Sequence, residues 1–121
     1  MLTFNGVLIG SSQPEVLAAF YAKVLGKPAD FSDSGYTGWQ FGTTGLVVGP
    51  HSEVMGSSKE PARILIGFTT TEVKEEFARI KGVGATVVAE PYQMEGNPGW
   101  IATFADPDGN YFQLMTPMGP S

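Results

Sequence analysis

The predicted elements of this chain occur in the same order twice. Each half of the 121 residues contains a strand-like segment, a helical segment and three further strand-like segments. The first copy occupies residues 1–49 and the second occupies residues 62–121, with a polar linker at 50–61. A sheet of four short strands with one helix buries too little apolar surface to be stable alone. The two copies therefore need to pack together or against another chain, and the fold class is predicted to be α+β.

The first copy opens with a strand predicted over residues 2–10. Ser12 and Glu15 have the spacing of a capping box, and apolar residues at helical intervals then continue to Gly26, which is expected to end the helix. Turns rich in Gly, Ser and Thr divide the rest of the copy into strands near 28–32, 36–42 and 45–49.

The second copy repeats this pattern after the linker. A strand is predicted at 62–69, and Thr70 or Thr71 is expected to cap a helix that ends near Gly82 and Gly84. The apolar residues on one face of that helix are Val73, Phe77 and Ile80. The three remaining strands are predicted near 85–92, 100–105 and 110–116.

Composition excludes several classes of protein. The net charge is −5, and the seven Lys and Arg residues form no basic cluster, so nucleic-acid binding is not expected and a cationic ligand is weakly favoured. Without cysteine the chain has no disulfide, thiolate metal site or thiol nucleophile. No apolar run reaches the roughly 20 residues of a membrane span, and the first residues do not resemble a signal peptide. We therefore expect a soluble, cytoplasmic protein with no membrane partner.

Three segments within the repeat resemble the vicinal oxygen chelate superfamily, which includes glyoxalases, extradiol dioxygenases and bleomycin-binding proteins. These segments are AAFYAKVLG at 18–26, GVGATVV at 82–88 and FADPDGNYFQL at 104–114. The resemblance implies two βαβββ modules within a single domain over residues 1–121. It also implies that the strands form a concave mixed β-sheet with the helices on the outside. Asp106 and Asp108 are interpreted as turn formers and not as catalytic groups.

The resemblance also places the metal-ligand positions of the superfamily on this chain. The glutamate ligand of the last strand corresponds to Gln113, and the two histidine ligands correspond to Gly6 and Leu65. A further ligand of some relatives corresponds to Val47 or Val48. These residues offer one neutral amide and no other donor, so neither a metal nor another cofactor is expected. His51, the single histidine, lies in the linker and is interpreted as a solvated residue.

A ligand cavity is the remaining feature that the resemblance implies. Strand alternation places Gly6, Leu8 and Gly10 on one face of the first strand, and Arg63, Leu65 and Gly67 on the matching face of the fifth. The same faces of the seventh and last strands carry Ile101, Thr103, Tyr111, Gln113 and Met115. Glycines on these faces suggest room for a ligand, although a glycine in a strand can equally mark a bulge. The alternative is that both faces belong to the core. The opposite faces, including Ile64, are expected to pack under the helices.

The two tryptophans are further candidates for ligand contact. Trp39 shares a strand face with Phe41, and the sequence does not decide between the cavity and the core. Trp100 follows the Gly- and Pro-rich segment EGNPG, and the resemblance implies a ring that stacks on the ligand.

Two functional hypotheses follow. The first is a metal-free, homodimeric protein that binds a small planar, cationic or zwitterionic organic molecule, as in antibiotic sequestration. The alternative is a lyase, isomerase or dioxygenase-like enzyme of the same superfamily with non-standard catalytic residues, and no catalytic residue is assigned. The sequence leaves open whether the modules are exchanged between chains.

Overall fold

The fold consists of two compact units, and a computed structural model describes residues 1–117 of the chain. The first unit comprises Met1–Gly56 and the second begins at Ser57, so the boundary lies within the predicted linker. Each unit contains one strand, one helix and three strands in that order. The predicted α+β class and the two βαβββ modules are therefore confirmed. No helix within residues 1–117 is long and apolar enough to cross a membrane.

The first unit is a mixed four-stranded sheet covered by one helix. Its elements are β1 (Gly6–Ser11), α1 (Pro14–Leu25), β2 (Phe31–Asp33), β3 (Tyr36–Phe41) and β4 (Thr44–Pro50). The strand order is β1-β4-β3-β2, and β1 runs parallel to β4. The helix packs on β4 and β1 through its buried residues Leu17, Tyr21 and Val24. As predicted, Gly26 ends the helix in the left-handed conformation.

The second unit repeats this topology. A short 3-10 turn (Pro61–Arg63) precedes β5 (Ile66–Thr69), α2 (Val73–Gly82), β6 (Thr86–Gln93), β7 (Trp100–Ala105) and β8 (Tyr111–Met115). The strand order is β5-β8-β7-β6, with β5 parallel to β8. Phe77 of α2 stacks on Phe104, and Phe104 stacks on Phe112, with ring centroids 5.1 and 5.4 Å apart. This aromatic stack joins the helix to the centre of the sheet.

The fifth strand is shorter than predicted. Residues 62–69 were expected to be extended, but β5 begins at Ile66 because Pro61 opens a 3-10 turn that the Arg63 amide closes on the Glu60 carbonyl. Arg63 therefore lies in the turn and Leu65 lies just before the strand. Ile64 was expected to pack under a helix, and this expectation was wrong because its side chain is 71% exposed.

The predicted helix caps were also wrong. Helix α1 has Gln13 at its N-cap and Pro14 in its first turn, and no side chain caps it, so the Ser12–Glu15 capping box does not form. Instead, the Ser11 hydroxyl accepts a hydrogen bond from the Gln13 amide. The N-cap of α2 is Glu72, whose amide donates to the Thr70 hydroxyl. In both cases the hydroxyl stabilises the turn that leads into the helix.

Candidate functional site

One face of the second sheet collects five of the residues predicted to bind a ligand. Alternation along β7 and β8 turns Ala102, Phe104, Phe112 and Leu114 into the core beside α2, where all four are buried. The opposite face, called the distal face below, carries Ile101, Thr103, Tyr111, Gln113 and Met115. Antiparallel register pairs Ile101 with Met115 and Thr103 with Gln113. The predicted grouping of these five side chains on one face is therefore present.

Gln113 is the polar centre of the distal face. Its Nε2 donates a hydrogen bond to the Thr103 hydroxyl at 3.2 Å. Gln113 is half-buried and Thr103 is buried. The bond uses one N–H of the amide, so the Oε1 atom keeps its capacity to accept a hydrogen bond and the Thr103 hydroxyl keeps its capacity to donate one. The pair thus presents an acceptor and a donor side by side.

The turn before β8 places Gln113 in this position. Asp106 Oδ1 accepts hydrogen bonds from the amides of Asp108 and Asn110, at 2.9 and 3.0 Å. Gly109 adopts a positive φ of 82° that closes the turn. Both aspartates are almost completely buried. These contacts support the interpretation that the aspartates build the turn.

The glycines on the proposed ligand faces do not leave empty space. A Cβ atom on Gly67 would lie 3.2 Å from Met115 Cε, and one on Gly10 would lie 2.9 Å from His51 Cβ. A Cβ on Gly6 would overlap the Gly45 backbone. Protein atoms therefore already occupy the room that these glycines provide.

Arg63 and Leu65 precede β5 and do not lie on a strand. Arg63 forms an ion pair with Glu60 at 2.7 Å, and both side chains are 70% exposed. Tyr111 joins this pair in lining a depression of about 370 Å³. Leu65 is 44% exposed. The aromatic ring of Tyr111 thus connects the distal face to the charged turn.

Trp39 and Trp100 lie elsewhere. Trp39 is completely buried, and its indole N–H donates to the Lys27 carbonyl at 3.2 Å, so it belongs to the core of the first unit. Trp100 alternates with Ile101 and lies on the α2 side of the sheet, where Lys74 Nζ is 3.9 Å from the ring centroid. The structure does not bring Trp100 together with Gln113, because the two side chains point to opposite faces of the sheet.

Leu8 belongs to a separate surface in the first unit. Register places Leu8, Val47, Gly38 and Phe31 in one row across β1, β4, β3 and β2. Leu8 is 51% exposed and Phe31 is 45% exposed. They line a depression of about 360 Å³ whose floor includes Gly6 and Gly45.

The residues at the metal-ligand positions do not fit a metal ion. Gly6 has no side chain, Leu65 has no donor atom, and Gln113 offers only one neutral amide oxygen. A neutral amide without carboxylate or imidazole partners supplies a weak field for a divalent cation. Within residues 1–117, no three His, Cys, Asp or Glu side chains are grouped in a way that could hold a metal.

Sequence reasoning missed two contacts of the residues that it proposed as ligand contacts. Glu60 was assigned to the linker, although its spacing to Arg63 across Pro61 is the signal of a paired turn. Lys74 was not connected to Trp100 because that contact joins a helix to a strand far along the chain.

Comparison with known proteins places the fold in a family. A family model described as a glyoxalase-like domain matches residues 6–115. A glyoxalase-related enzyme from Fulvimarina pelagi superposes with a TM-score of 0.79 at 18% identity, covering 98% of this chain and 94% of that one. A glyoxalase/bleomycin resistance protein/dioxygenase family enzyme from Burkholderia phytofirmans PsJN superposes with a TM-score of 0.74 at 22% identity, covering 94% of this chain and 98% of that one. A lactoylglutathione lyase from Agrobacterium tumefaciens superposes with a TM-score of 0.73 at 16% identity, covering 94% of this chain and 92% of that one. A search of curated proteins found no significant match.

Proposed function

Since this chain belongs to the glyoxalase-like domain family of the vicinal oxygen chelate superfamily, we propose that it binds a small planar organic molecule on the distal face without a metal. The observation that carries the proposal is the hydrogen bond from Gln113 to Thr103. A carboxylate at position 113 would bind a cation, whereas an amide that is hydrogen-bonded to a hydroxyl binds a neutral polar group. The position therefore suits ligand recognition better than metal binding.

The chemistry of the distal face indicates the kind of ligand. The acceptor on Gln113 and the donor on Thr103 complement a ligand group that carries a donor and an acceptor, such as an amide, lactam or aminoheterocycle. Ile101 and Met115 lie directly beside this pair and supply apolar contact. The Tyr111 ring offers a surface for offset stacking on a planar molecule. The Gln113–Thr103 pair would thus recognise the polar group of the ligand within an otherwise apolar surface.

Charge contributes to this selection only weakly. The chain carries a net charge of −5, which favours cationic or zwitterionic molecules over anions. Physiological salt screens such attraction beyond about 8 Å. Affinity therefore depends mainly on apolar burial, stacking and the Gln113–Thr103 pair.

Sequestration is the proposed biological outcome, with antibiotics as the proposed class of ligand. The name of the Burkholderia phytofirmans neighbour includes bleomycin resistance protein, which supports this class. The alternative is an enzyme of the superfamily, as the name of the Agrobacterium tumefaciens neighbour suggests for that protein. Acid–base catalysis needs a titratable group at the reacting atoms, and Tyr111 is the titratable residue among the five on the distal face. Sequestration therefore accounts for the distal face more directly.

The test is a binding screen against the wild-type protein and a Gln113→Leu variant. Aromatic heterocyclic antibiotics, including bleomycin, are titrated by isothermal calorimetry. At least one compound should bind saturably, and Gln113→Leu should weaken it about tenfold because the ligand loses one buried hydrogen bond. Gln93→Leu, which changes an exposed glutamine at the end of β6, is the matched control and should leave the affinity unchanged.

Two results would contradict the proposal. The first is chemical conversion of a bound compound that Gln113→Leu abolishes, which would favour the enzyme. The second is one tightly held equivalent of a divalent metal in elemental analysis after dialysis, which would show that the argument from the donor atoms is wrong.

A further inference from the structure

The turn before β5 carries an ion pair held in a defined position. Pro61 fixes the start of the turn, and the Arg63 amide donates to the Glu60 carbonyl at 3.0 Å. This closes the turn and places the two side chains on the same side, where Arg63 Nη2 donates to Glu60 Oε2 at 2.7 Å. Glu60 and Arg63 are thus presented together by the backbone.

This ion pair lies between two depressions. One, of about 370 Å³, is lined by Glu60, Pro61, Ala62, Arg63 and Tyr111. The other, of about 300 Å³, shares the pair and Pro61 and adds Ser58, Ile64 and Asn110. Glu60 and Arg63 are the charged residues in both linings, and Ile64 beside them is largely exposed. The surface therefore combines one positive and one negative group with apolar contacts.

The pair retains unused binding capacity. Arg63 gives Glu60 one of the five N–H donors of its guanidinium group, so a planar fork remains for a second carboxylate. Glu60 likewise keeps a second carboxylate oxygen. Both side chains are 70% exposed, so separating them slightly costs little. A ligand that carries both charges can replace weak internal contacts with two new ones.

We propose that the Glu60–Arg63 pair anchors the zwitterionic end of a ligand, with its carboxylate on Arg63 and its ammonium on Glu60. Tyr111 connects this anchor to the polar pair of the distal face, because it precedes Gln113 by two residues on the same face of β8 and its Cα lies about 7 Å away. The inference rests on the proposed function and names the class of its ligand, an aromatic molecule with an amino-acid-like end. A zwitterion has no net charge, so the negative charge of the protein does not oppose its approach.

The experiment compares three probes that share the phenylalanine skeleton and differ in which charged group is blocked. L-phenylalanine carries both groups, its methyl ester lacks the carboxylate, and its N-acetyl derivative lacks the ammonium. Binding is followed by two-dimensional NMR of the labelled full chain, including the side-chain Nε–H of Arg63. Phenylalanine should bind in the millimolar range, and each blocked derivative should bind about tenfold more weakly.

Single substitutions assign each preference to its residue. Arg63→Gln should remove the preference for phenylalanine over its methyl ester, and Glu60→Gln should remove the preference over N-acetylphenylalanine. Arg79→Gln is the matched control, because it breaks another i,i+3 ion pair, with Glu76 on α2, and should change neither preference. All three side chains are partly or largely exposed, so folding should be preserved.

The outcomes separate this inference from the proposed function. Absence of binding at millimolar phenylalanine, equal binding of the three probes, or preferences that survive Arg63→Gln would each overturn the zwitterion anchor. If an antibiotic still binds in a manner that depends on Gln113, the proposed function stands while the anchor falls. If phenylalanine shows both preferences but no compound depends on Gln113, the anchor stands and the proposed function falls.

Discussion

Gly6 and Gly45 face each other at the start of the parallel pair of β1 and β4. A Cβ atom on Gly6 would overlap the Gly45 carbonyl oxygen, and Gly6 has a φ of 146°, where side chains are rarely found. The sequence indicates only that a metal-binding histidine is absent at this position. The structure adds that the backbone leaves no room for any side chain there.

Gly6→Ala should therefore lower the free energy of unfolding by about 2–3 kcal/mol, because the strand must move and the residue must adopt a strained φ. Urea denaturation followed by circular dichroism measures the change. Gly82→Ala is the control, since a Cβ at that helical position meets no atom within 4 Å, and it should be neutral or slightly stabilising. Equal effects of the two substitutions would show that Gly6 is not in close contact with Gly45.

The sequence predicts which residues of one strand share a face of the sheet. It does not predict which residues of neighbouring strands lie side by side. Alternation alone placed Tyr111, Gln113 and Met115 on one face. The same rule, applied to β7, separates Trp100 from Ile101, so the sequence already indicates that Trp100 does not share the face of Ile101 and Thr103. The contact between Gln113 and Thr103 was not predictable, because the pairing of two strands depends on the turn and on packing.

Among the elements, the helices were predicted in place but their first turns were not. Apolar periodicity identified the buried positions of α2, Val73, Phe77 and Ile80, all of which are buried. The predictions of the helix caps were wrong because several hydroxyl residues precede each helix. Tertiary packing selects which backbone amides these hydroxyls bond. The predicted start of β5 was wrong because an apolar run after Pro61 fits a strand and a turn equally well.

Helix α2 also carries a titratable contact. Hydrogen bonding from Arg79 lowers the pKa of the Glu76 carboxyl below its ordinary value of 4.5, which outweighs the opposing effect of partial burial, and the Arg79 charge acts in the same direction. A carboxyl whose pKa is lowered by folding stabilises the folded state above its unfolded pKa. That stabilisation is lost as the pH falls through the folded pKa.

Glu76→Gln should thus destabilise the protein at pH 7, and this effect should shrink as the pH falls below 4.5 and through the lowered pKa of the folded state. The effect should be at most about 0.5 kcal/mol, because solvent screens a pair that is one-third exposed. Thermal unfolding of both proteins across this pH range measures the difference. A Glu76→Gln effect that stayed constant with pH would rule out the ion pair as its cause.

For the whole molecule, the internal repeat was the most reliable signal. Two copies of one element order predicted two βαβββ modules, and both units have the same strand order. That order was not predictable from periodicity, because alternation shows which face a residue occupies and not which strand lies beside it. The unit boundary at Gly56 and Ser57 fell inside a linker recognised by its polarity.

Homodimer formation is the prediction that belongs to the whole molecule. β1 is an edge strand of its sheet, and its sequence Gly6–Ser11 contains no charge or proline that would discourage pairing. Leu2, Phe4 and Leu8 are exposed on or before this strand, and Phe31 extends the apolar row across the sheet. Contiguous exposed apolar residues on a small protein commonly mark an interface. We expect a second copy of the chain to cover this row.

Light scattering coupled to gel filtration at micromolar concentration should give the mass of a dimer, twice 12.9 kDa. Leu8→Asp places a charge in the centre of the apolar row and should shift the protein towards the monomer, because burying that charge costs far more than the leucine contributes. Val16→Asp is the matched control, because Val16 lies on α1 and its exposure of 50% is close to the 51% of Leu8. It should leave the dimer intact. A wild-type monomer throughout this range, or equal dissociation by both substitutions, would contradict an interface at the Leu8 row.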